Sequence, residues 1–268
     1  MGKDLNKISR SIANSSGFPL QIRIAHDANS TSNWEVFLEE HPWHSNETGS
    51  EGFIDLVVRD QNHAVQAMVI ECKRVRDTAW VFLIPKVKQT KDPRIERSHV
   101  RLWFSSHCHV KWNEFGWSDC QANPFTYESK FCAIQGQESG RRNLLERTAF
   151  DLIESVEALA WQERKLQEGN GGNLFLFERR YTPVIITTAE LRVSFFDPSS
   201  ISSHDGTLPN DTSFEVVPYI RFRKSLTSNF GSSIGKSIQE AYQTSERTVF
   251  VVNSESWIDF LEKWEIRR

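Results

Sequence analysis

Cysteine is scarce in this chain, with four residues of this type among 268. Because they are few and Cys72 lies inside a predicted strand, we expect reduced thiols rather than a disulfide framework. No apolar run approaches the ~20 residues that a membrane-spanning helix requires. The start, Met-Gly-Lys-Asp-Leu-Asn, lacks the apolar core of a secretory signal. We therefore expect a cytoplasmic protein with no membrane partner.

An excess of positive charge is also missing, since the net charge is −3. This argues against a protein whose affinity comes only from neutralising phosphates, although a local basic groove is still compatible with it. The chain does have the composition of an ordinary globular protein, with 38% hydrophobic and 25% charged residues. Its length suits one large domain, or one domain with a substantial extension.

The most informative pattern is a pair of apolar segments, 52–59 and 66–73. Each is rich in valine and isoleucine and is bounded by turn-forming residues, which is typical of buried β-strands. The polar residues between them, 60–63, suit a hairpin connection. The sequence therefore predicts two neighbouring antiparallel strands.

Charged side chains interrupt both apolar segments. Asp55 lies near the middle of the first segment, and Glu71 and Lys73 end the second. Because side chains alternate along a strand, Glu71 and Lys73 share one face and Cys72 points the other way. Pairing of the two strands would bring Asp55 close to that face.

Two carboxylates at the end of an apolar sheet repel each other and lose hydration. A divalent cation removes both problems, and Mg²⁺ is commonly held by one or two carboxylates together with waters and phosphate oxygens. Lys73 could orient a water beside such a metal or neutralise developing charge. The pattern indicates phosphodiester hydrolysis; an edge hairpin with a surface Glu–Lys pair is the alternative interpretation.

Asp55 followed by Glu71-Cys72-Lys73 resembles the catalytic motif of the PD-(D/E)XK, or restriction-endonuclease-like, nuclease superfamily. The resemblance implies Mg²⁺-dependent cleavage, with Mn²⁺ as a substitute. By this resemblance, Asp55 and Glu71 are metal ligands, Lys73 is the catalytic lysine, and the backbone carbonyl of Cys72 is a further ligand. Ile54 stands where the family has a proline, a position that varies.

The function implied by the resemblance is a nuclease acting on DNA, in restriction or antiviral defence by analogy alone. The alternative is a non-catalytic nucleic-acid- or protein-binding module of nuclease-like fold within a larger complex. RNA is a further substrate class. The expected partners are nucleic acid and either a second copy of the chain or a partner subunit.

The resemblance also implies an α/β fold with a restriction-endonuclease-like mixed sheet flanked by helices. We expect a nuclease-like core over 1–168 and a C-terminal α/β extension over 174–268, packed together as one unit. A glycine-rich break at 169–173 separates them. The resemblance covers 3–73 well and the helix that follows Arg141 loosely, and it does not place the C-terminal third.

Periodicity predicts the other elements. Helices are predicted over 4–16, 141–167 and 254–266. Strands are predicted over 20–25, 34–39, 130–137, 183–188, 191–196, 214–223 and 247–253, and 80–85 is predicted as a short buried strand or a turn of the core.

Several residues stay open as additions to the site. Family members recruit a further glutamate before the hairpin, for which Glu35, Glu39 and Glu51 are candidates, although each is also typical of a solvated strand end. Gln135 and Gln137 could reach the site if their strand pairs beside Glu71. Phosphate contacts are open for a larger set: Arg74, Arg76, the basic segment 86–94, Ser139, Arg141 and Arg142. Solvated surface charge is the favoured alternative for 86–94, and ordinary capping and surface charge for the helix start. The cluster 221–224 is a weak basic signal in the C-terminal third.

The region 101–125 is rich in aromatic residues, which could stack on bases or, as the favoured alternative, fill a core. Zinc is a further open question there, because the same part of the chain contains several ligand types, but the usual short-spaced pairs are missing. The candidates are His107, Cys108, His109, Cys120 and Cys132.

Overall fold

The computed structural model describes residues 4–61, 65–76, 78–86, 97–108, 111–135, 142–169, 176–226 and 237–267. The protein is a mixed α/β structure with a large mixed sheet. Within the described part of the chain, no helix is long and apolar enough to cross a membrane.

The helices begin where the sequence supplies caps. The helices are α1 Leu5–Ser15, α2 Phe18–Asn29, α3 Leu144–Gly169, α4 Ile238–Ser245 and α5 Trp257–Lys263. Asp4 accepts hydrogen bonds from the first turn of α1. Gly17, at φ 86°, and Pro19 start α2. Asn143 and Glu146 exchange hydrogen bonds at the start of α3, as in a capping box.

The strands are rich in β-branched and aromatic residues, which suit a pleated, half-buried surface. They are β1 Trp34–His44, β2 Glu51–Asp60, β3 Gln66–Lys73, β4 Ala79–Pro85, β5 His99–Cys108, β6 Lys111–Asn123, β7 Glu128–Ser129, β8 Phe131–Ile134, β9 Leu176–Thr187, β10 Glu190–Phe196, β11 Glu215–Val216, β12 Tyr219–Ser225, β13 Glu246–Asn253 and β14 Glu265–Arg267.

The large sheet has the strand order β1-β2-β3-β9-β13-β12-β7. β1, β2 and β3 form an antiparallel meander, and β9 then lies parallel to β3 after the chain has passed through α3. β5 pairs with β9 and β6, and β6 pairs with β14. A second, four-stranded sheet has the order β11-β10-β4-β8.

Two apolar cores lie on the two faces of the large sheet. The α3-side core includes Val57, Val69, Leu152, Ile153, Val156 and Ile185. The α2-side core includes Ile24, Ala28, Leu56, Met68, Ile70 and Phe260. Full burial of such a side chain contributes about 1.5–3 kcal/mol. Apolar packing therefore holds the sheet and both of its helical layers together. The polar side chains of β2 and β3 are exceptions in these apolar surroundings.

The structure confirms the predicted hairpin, in which Leu56 lies opposite Ile70 and Arg59 opposite Ala67. It also confirms the first helix and the long helix, now α1 and α3.

The strand predicted over 20–25 is wrong, because these residues belong to α2. The buried positions show spacings of three and four residues, which are helical: Gln21, Ile24, Ala25, Asp27 and Ala28. The cause of the error is that the short window alternates between apolar and polar residues by chance.

The strand predicted over 130–137 is shorter in the structure, as β8. It pairs with β4 in the second sheet and not beside Glu71, so the expected approach of Gln135 to the site through that pairing is wrong. Gln137 lies outside the described residues, as does most of the basic segment 86–94.

Candidate active site

The site begins where the β2–β3 hairpin brings Asp55 to the end of β3. The Oδ2 atom of Asp55 accepts a hydrogen bond from the backbone N–H of Cys72 at 2.6 Å. This bond places the Asp55 carboxylate beside the segment that carries Glu71 and Lys73.

Glu71 and Lys73 lie on one face of β3, as the alternation predicts. The Lys73 Nζ atom is 2.5 Å from Glu71 Oε1. Cys72 packs against the α2-side core instead. Lys73 therefore projects from the sheet as a cation that a neighbouring carboxylate holds in place.

Burial gives the two carboxylates an unusual affinity for protons. Burial is the main cause that raises the pKa of Asp55, while the Cys72 N–H and Lys73 lower it. Burial and then the negative charge of Asp55 raise the pKa of Glu71 to about 7. The mutual repulsion of the two acids is the condition that a bound cation relieves.

Burial and neighbouring charges have opposite effects on the pKa of Lys73. Burial alone would lower its pKa, but the Glu71 carboxylate, its hydrogen bond and Asp55 raise it on balance. Lys73 is therefore an ammonium group at neutral pH, with three donors for oxygen atoms.

Sequence reasoning missed two residues on the far side of Asp55. Gln21, on α2 and only 7% exposed, donates from Nε2 to Glu40 Oε1 at 2.7 Å and to the backbone oxygen of Asp55 at 3.0 Å. Glu40 has φ 47°, in the left-handed region that residues other than glycine rarely adopt. An outlier of this kind is typical of functional sites. The sequence gives no signal for it.

A third missed residue, Asp151, approaches from α3. Its carboxylate contributes to raising the pKa of Glu71, and Lys73 in turn lowers the pKa of Asp151, which burial raises. Asp151 lies on the polar face of a helix that was correctly predicted, but the sequence could not show which polar residue would face β3.

The glutamates considered from the sequence lie elsewhere. Glu35 pairs with Arg59 at 2.6 Å. Glu39 lies opposite Leu56, and Glu51 lies opposite His44 at the start of β2. Glu40 is the glutamate of β1 whose negative charge contributes to raising the pKa of Asp55.

One residue considered for a phosphate contact at the start of α3, Arg142, has partners within the protein. Arg142 lies over the ring of Phe150 at 4.7 Å and donates to the Leu226 carbonyl. Ser139 and Arg141 lie outside the described residues. Arg74, directly after the motif, donates to the carbonyl of Asn14 at the end of α1.

The zinc candidates are distributed over different parts of the fold. Cys120 is buried in the α2-side core, whereas Cys132 packs against the α3-side core. The ring of His107 contacts that of Trp112, with centroids 4.9 Å apart. His109 lies outside the described residues.

Two carboxylates of this site could bind a divalent metal. Among the residues that the structure describes, no group of three or more His, Cys, Asp or Glu could hold a metal. Asp55 and Glu71 supply two carboxylates, and Mg²⁺ is commonly bound by one or two carboxylates with waters and substrate oxygens. Each carboxylate accepts several bonds, so the contacts to Cys72 and Lys73 leave capacity on both. Asp55 and Glu71 are therefore the residues that could hold Mg²⁺, which would keep a largely aqueous shell.

No protein-family model matches this chain, and no curated protein or solved structure matches it either. The assignment of a chemistry consequently rests on the geometry of Asp55, Glu71 and Lys73.

Proposed function

We propose that the chain is a Mg²⁺-dependent nuclease of restriction-endonuclease-like fold that cleaves phosphodiester bonds, with DNA as its substrate. The observation that carries the proposal is the hydrogen bond from the Cys72 N–H to Asp55, which sets one carboxylate beside the segment that carries a second carboxylate and a lysine. Two carboxylates that repel each other can bind a hard cation, and an ammonium group beside them can bind a phosphodiester oxygen.

The arrangement of elements supports the proposed fold. A meander of β1, β2 and β3 is followed by α3 and by β9, which lies parallel to β3. Helices cover both faces of the sheet, through the α2-side and α3-side cores. A mixed sheet flanked by helices, with the motif on adjacent strands, is what the family resemblance implies.

Each residue of the motif has a distinct role in this proposal. Asp55 and Glu71 hold the cation, which supplies an activated water and charge stabilisation when bound. Lys73 donates hydrogen bonds to a phosphate oxygen, and its position is fixed by Glu71. Gln21 fixes the backbone of Asp55 and the side chain of Glu40. The backbone carbonyl of Cys72 stays a predicted ligand.

The direct test is digestion of plasmid and single-stranded DNA with Mg²⁺, comparing wild type with Asp55→Asn and Lys73→Met. Loss of a preorganised charged group at a reaction centre costs on the order of 100-fold or more in rate, so both variants should be nearly inactive. Lys263→Met is the matched control, because Lys263 is exposed and pairs with Asp259 on α5.

Two results would contradict the proposal. Metal-dependent cleavage that survives both site substitutions would place the chemistry elsewhere. DNA binding that weakens with salt, without cleavage under Mg²⁺ or Mn²⁺, would favour the non-catalytic binding module.

A further inference from the structure

A cavity of about 260 Å³ lies apart from Asp55 and Glu71. It is formed between the turn that follows β1 and the middle of α3. Its lining includes His44, Glu47, Glu157, Ala158, Trp161 and Lys165. Drug-sized ligands occupy pockets of about 300–1,000 Å³, so this cavity suits a smaller group.

Trp161 is the platform of the cavity. Its side chain is 39% exposed, although other rings hold it in place. The ring of Phe115 meets it edge-on with centroids 4.6 Å apart, and the Arg164 guanidinium lies 4.9 Å from its centroid. An indole that its neighbours hold in place and that is still 39% exposed loses little freedom when a base stacks on it.

Glu157 supplies a hydrogen-bond acceptor next to this platform. Its Oε1 atom accepts a bond from Trp117 Nε1 at 2.5 Å, which fixes the carboxylate. A carboxylate offers about four acceptor positions, so Glu157 can also receive an N–H from a ligand. Glu47 adds a second acidic group, and its charge contributes to the raised pKa of Glu157. The acceptors select a ligand that donates hydrogen bonds.

Lys165 makes a free organic cation a poor fit, because it lies in the same lining as the two acids. A nucleotide satisfies both kinds of group, since its base can donate and its phosphate is negative. Carboxylates in proteins accept from the N4 amino group of cytosine, and they repel the O4 carbonyl that stands at the same position in uracil or thymine.

We propose that this cavity binds one unpaired cytosine base of a nucleic-acid strand, with Trp161 stacking on the ring, Glu157 accepting from the amino group and Lys165 contacting the neighbouring phosphate. The inference rests on the proposed nuclease function, which brings a strand to this surface. Trp161 lies ten residues beyond Asp151 on α3, or about 15 Å along the helix axis. The cavity thereby acts as a base-recognition subsite at a distance from the cleaved bond.

The test measures binding, so that it is independent of cleavage. Fluorescence anisotropy in EDTA compares two labelled single-stranded oligodeoxynucleotides of equal length, one of cytosine and one of uracil, which differ at the base and lack the thymine methyl group. The cytosine strand should bind about ten-fold more tightly, as expected for one good base contact.

Variants assign the preference to the cavity. Trp161→Ala should weaken binding of the cytosine strand by about ten-fold through loss of stacking, and Trp161→Phe should restore most of it. Glu157→Gln should remove the preference for cytosine while keeping the bond to Trp117. Leu166→Ala is the matched control, because Leu166 lies on the same helix, is 67% exposed and is not part of the lining.

Failure of this inference and failure of the proposed function are distinguishable. Equal affinity for both strands, no measurable binding, or a preference that survives Trp161→Ala and Glu157→Gln would overturn the subsite. Cleavage that depends on Asp55 and Lys73 without a cytosine preference would leave the nuclease standing and remove the subsite. A preference that these two substitutions abolish, in a protein that does not cleave, would support the subsite alone.

Discussion

The backbone N–H of Cys72 donates a hydrogen bond to the Asp55 carboxylate at 2.6 Å. This bond joins β2 to β3. Cys72 lies between Glu71 and Lys73, whose side chains face α3. The bond serves two purposes at once, because it satisfies a backbone donor and fixes an acid beside Glu71 and Lys73. The structural role of Asp55, as the acceptor of the Cys72 N–H, can therefore be tested separately from its proposed role in cleavage.

Two substitutions of Asp55 separate these roles. Asp55→Asn keeps an oxygen for the Cys72 N–H and removes the repulsion with Glu71, so its free energy of unfolding should stay within about 1 kcal/mol of wild type. Asp55→Ala leaves the N–H without its acceptor and should cost about 1–3 kcal/mol. Both should abolish cleavage. Urea unfolding measures the difference, and equal stability of the two variants would contradict it.

Mg²⁺ should stabilise the folded protein through Asp55 and Glu71. A ligand that binds only the folded state at ten times its Kd adds about 1.4 kcal/mol. The calorimetric Tm of wild type should therefore rise with Mg²⁺ and return with EDTA, whereas Glu71→Gln should show no rise. Glu265→Gln is the control, because Glu265 pairs with Arg267 on β14. A Tm rise in Glu71→Gln equal to that of wild type would exclude this site.

Glu40 stores backbone strain that a pair of variants can measure. Both Glu40→Ala and Glu40→Gly remove the acceptor of Gln21, but only glycine adopts a positive φ without cost. The glycine variant should be more stable than the alanine variant by about 1 kcal/mol or more. The comparison uses urea unfolding at one pH, and the reverse order of stability would show that Glu40 is not strained.

Glu157 should make stability depend on pH. Burial raises its folded pKa above the ordinary value of 4.5, so between those two values the folded state binds more protons than the unfolded state. Stability should then fall as the pH rises through that window. Glu157→Gln should reduce the slope of the unfolding free energy with pH above the ordinary pKa of 4.5. A slope that is unchanged in this variant would contradict the prediction.

The hairpin and α3 could be predicted because local patterns determine them. Alternation in β3 separates Cys72 from Glu71 and Lys73, and the structure shows the same separation. In α3, apolar residues recur at helical spacing over many turns, which few other structures can satisfy.

Short windows and non-local pairing explain what could not be predicted. Ile22 and Ile24 alternate as in a strand, which would place them on one face, yet Ile22 is 66% exposed and Ile24 is 1% exposed. Two residues in a helix differ by about 200° in direction, so α2 separates them. The partner of β8 is β4, far away in the sequence, and no local pattern encodes that choice.

The positions of the candidate-site residues were predictable only where strand geometry determines them. Asp55, Glu71 and Lys73 follow from alternation and pairing. Gln21 could not be placed while its segment was assigned to a strand, and Glu40 depends on a backbone angle that the sequence does not reveal. Asp151 depends on how α3 packs over the sheet.

β3 is paired with the parallel strand β9 along the whole length of β3, from Gln66 opposite Arg180 to Lys73 opposite Thr187. A recombinant fragment that ended after α3 would turn the strand of Glu71 and Lys73 into an open edge, which invites aggregation and strand exchange. The smallest piece of the chain that retains the proposed chemistry must therefore include Leu176–Thr187, and dissection by truncation should start beyond it.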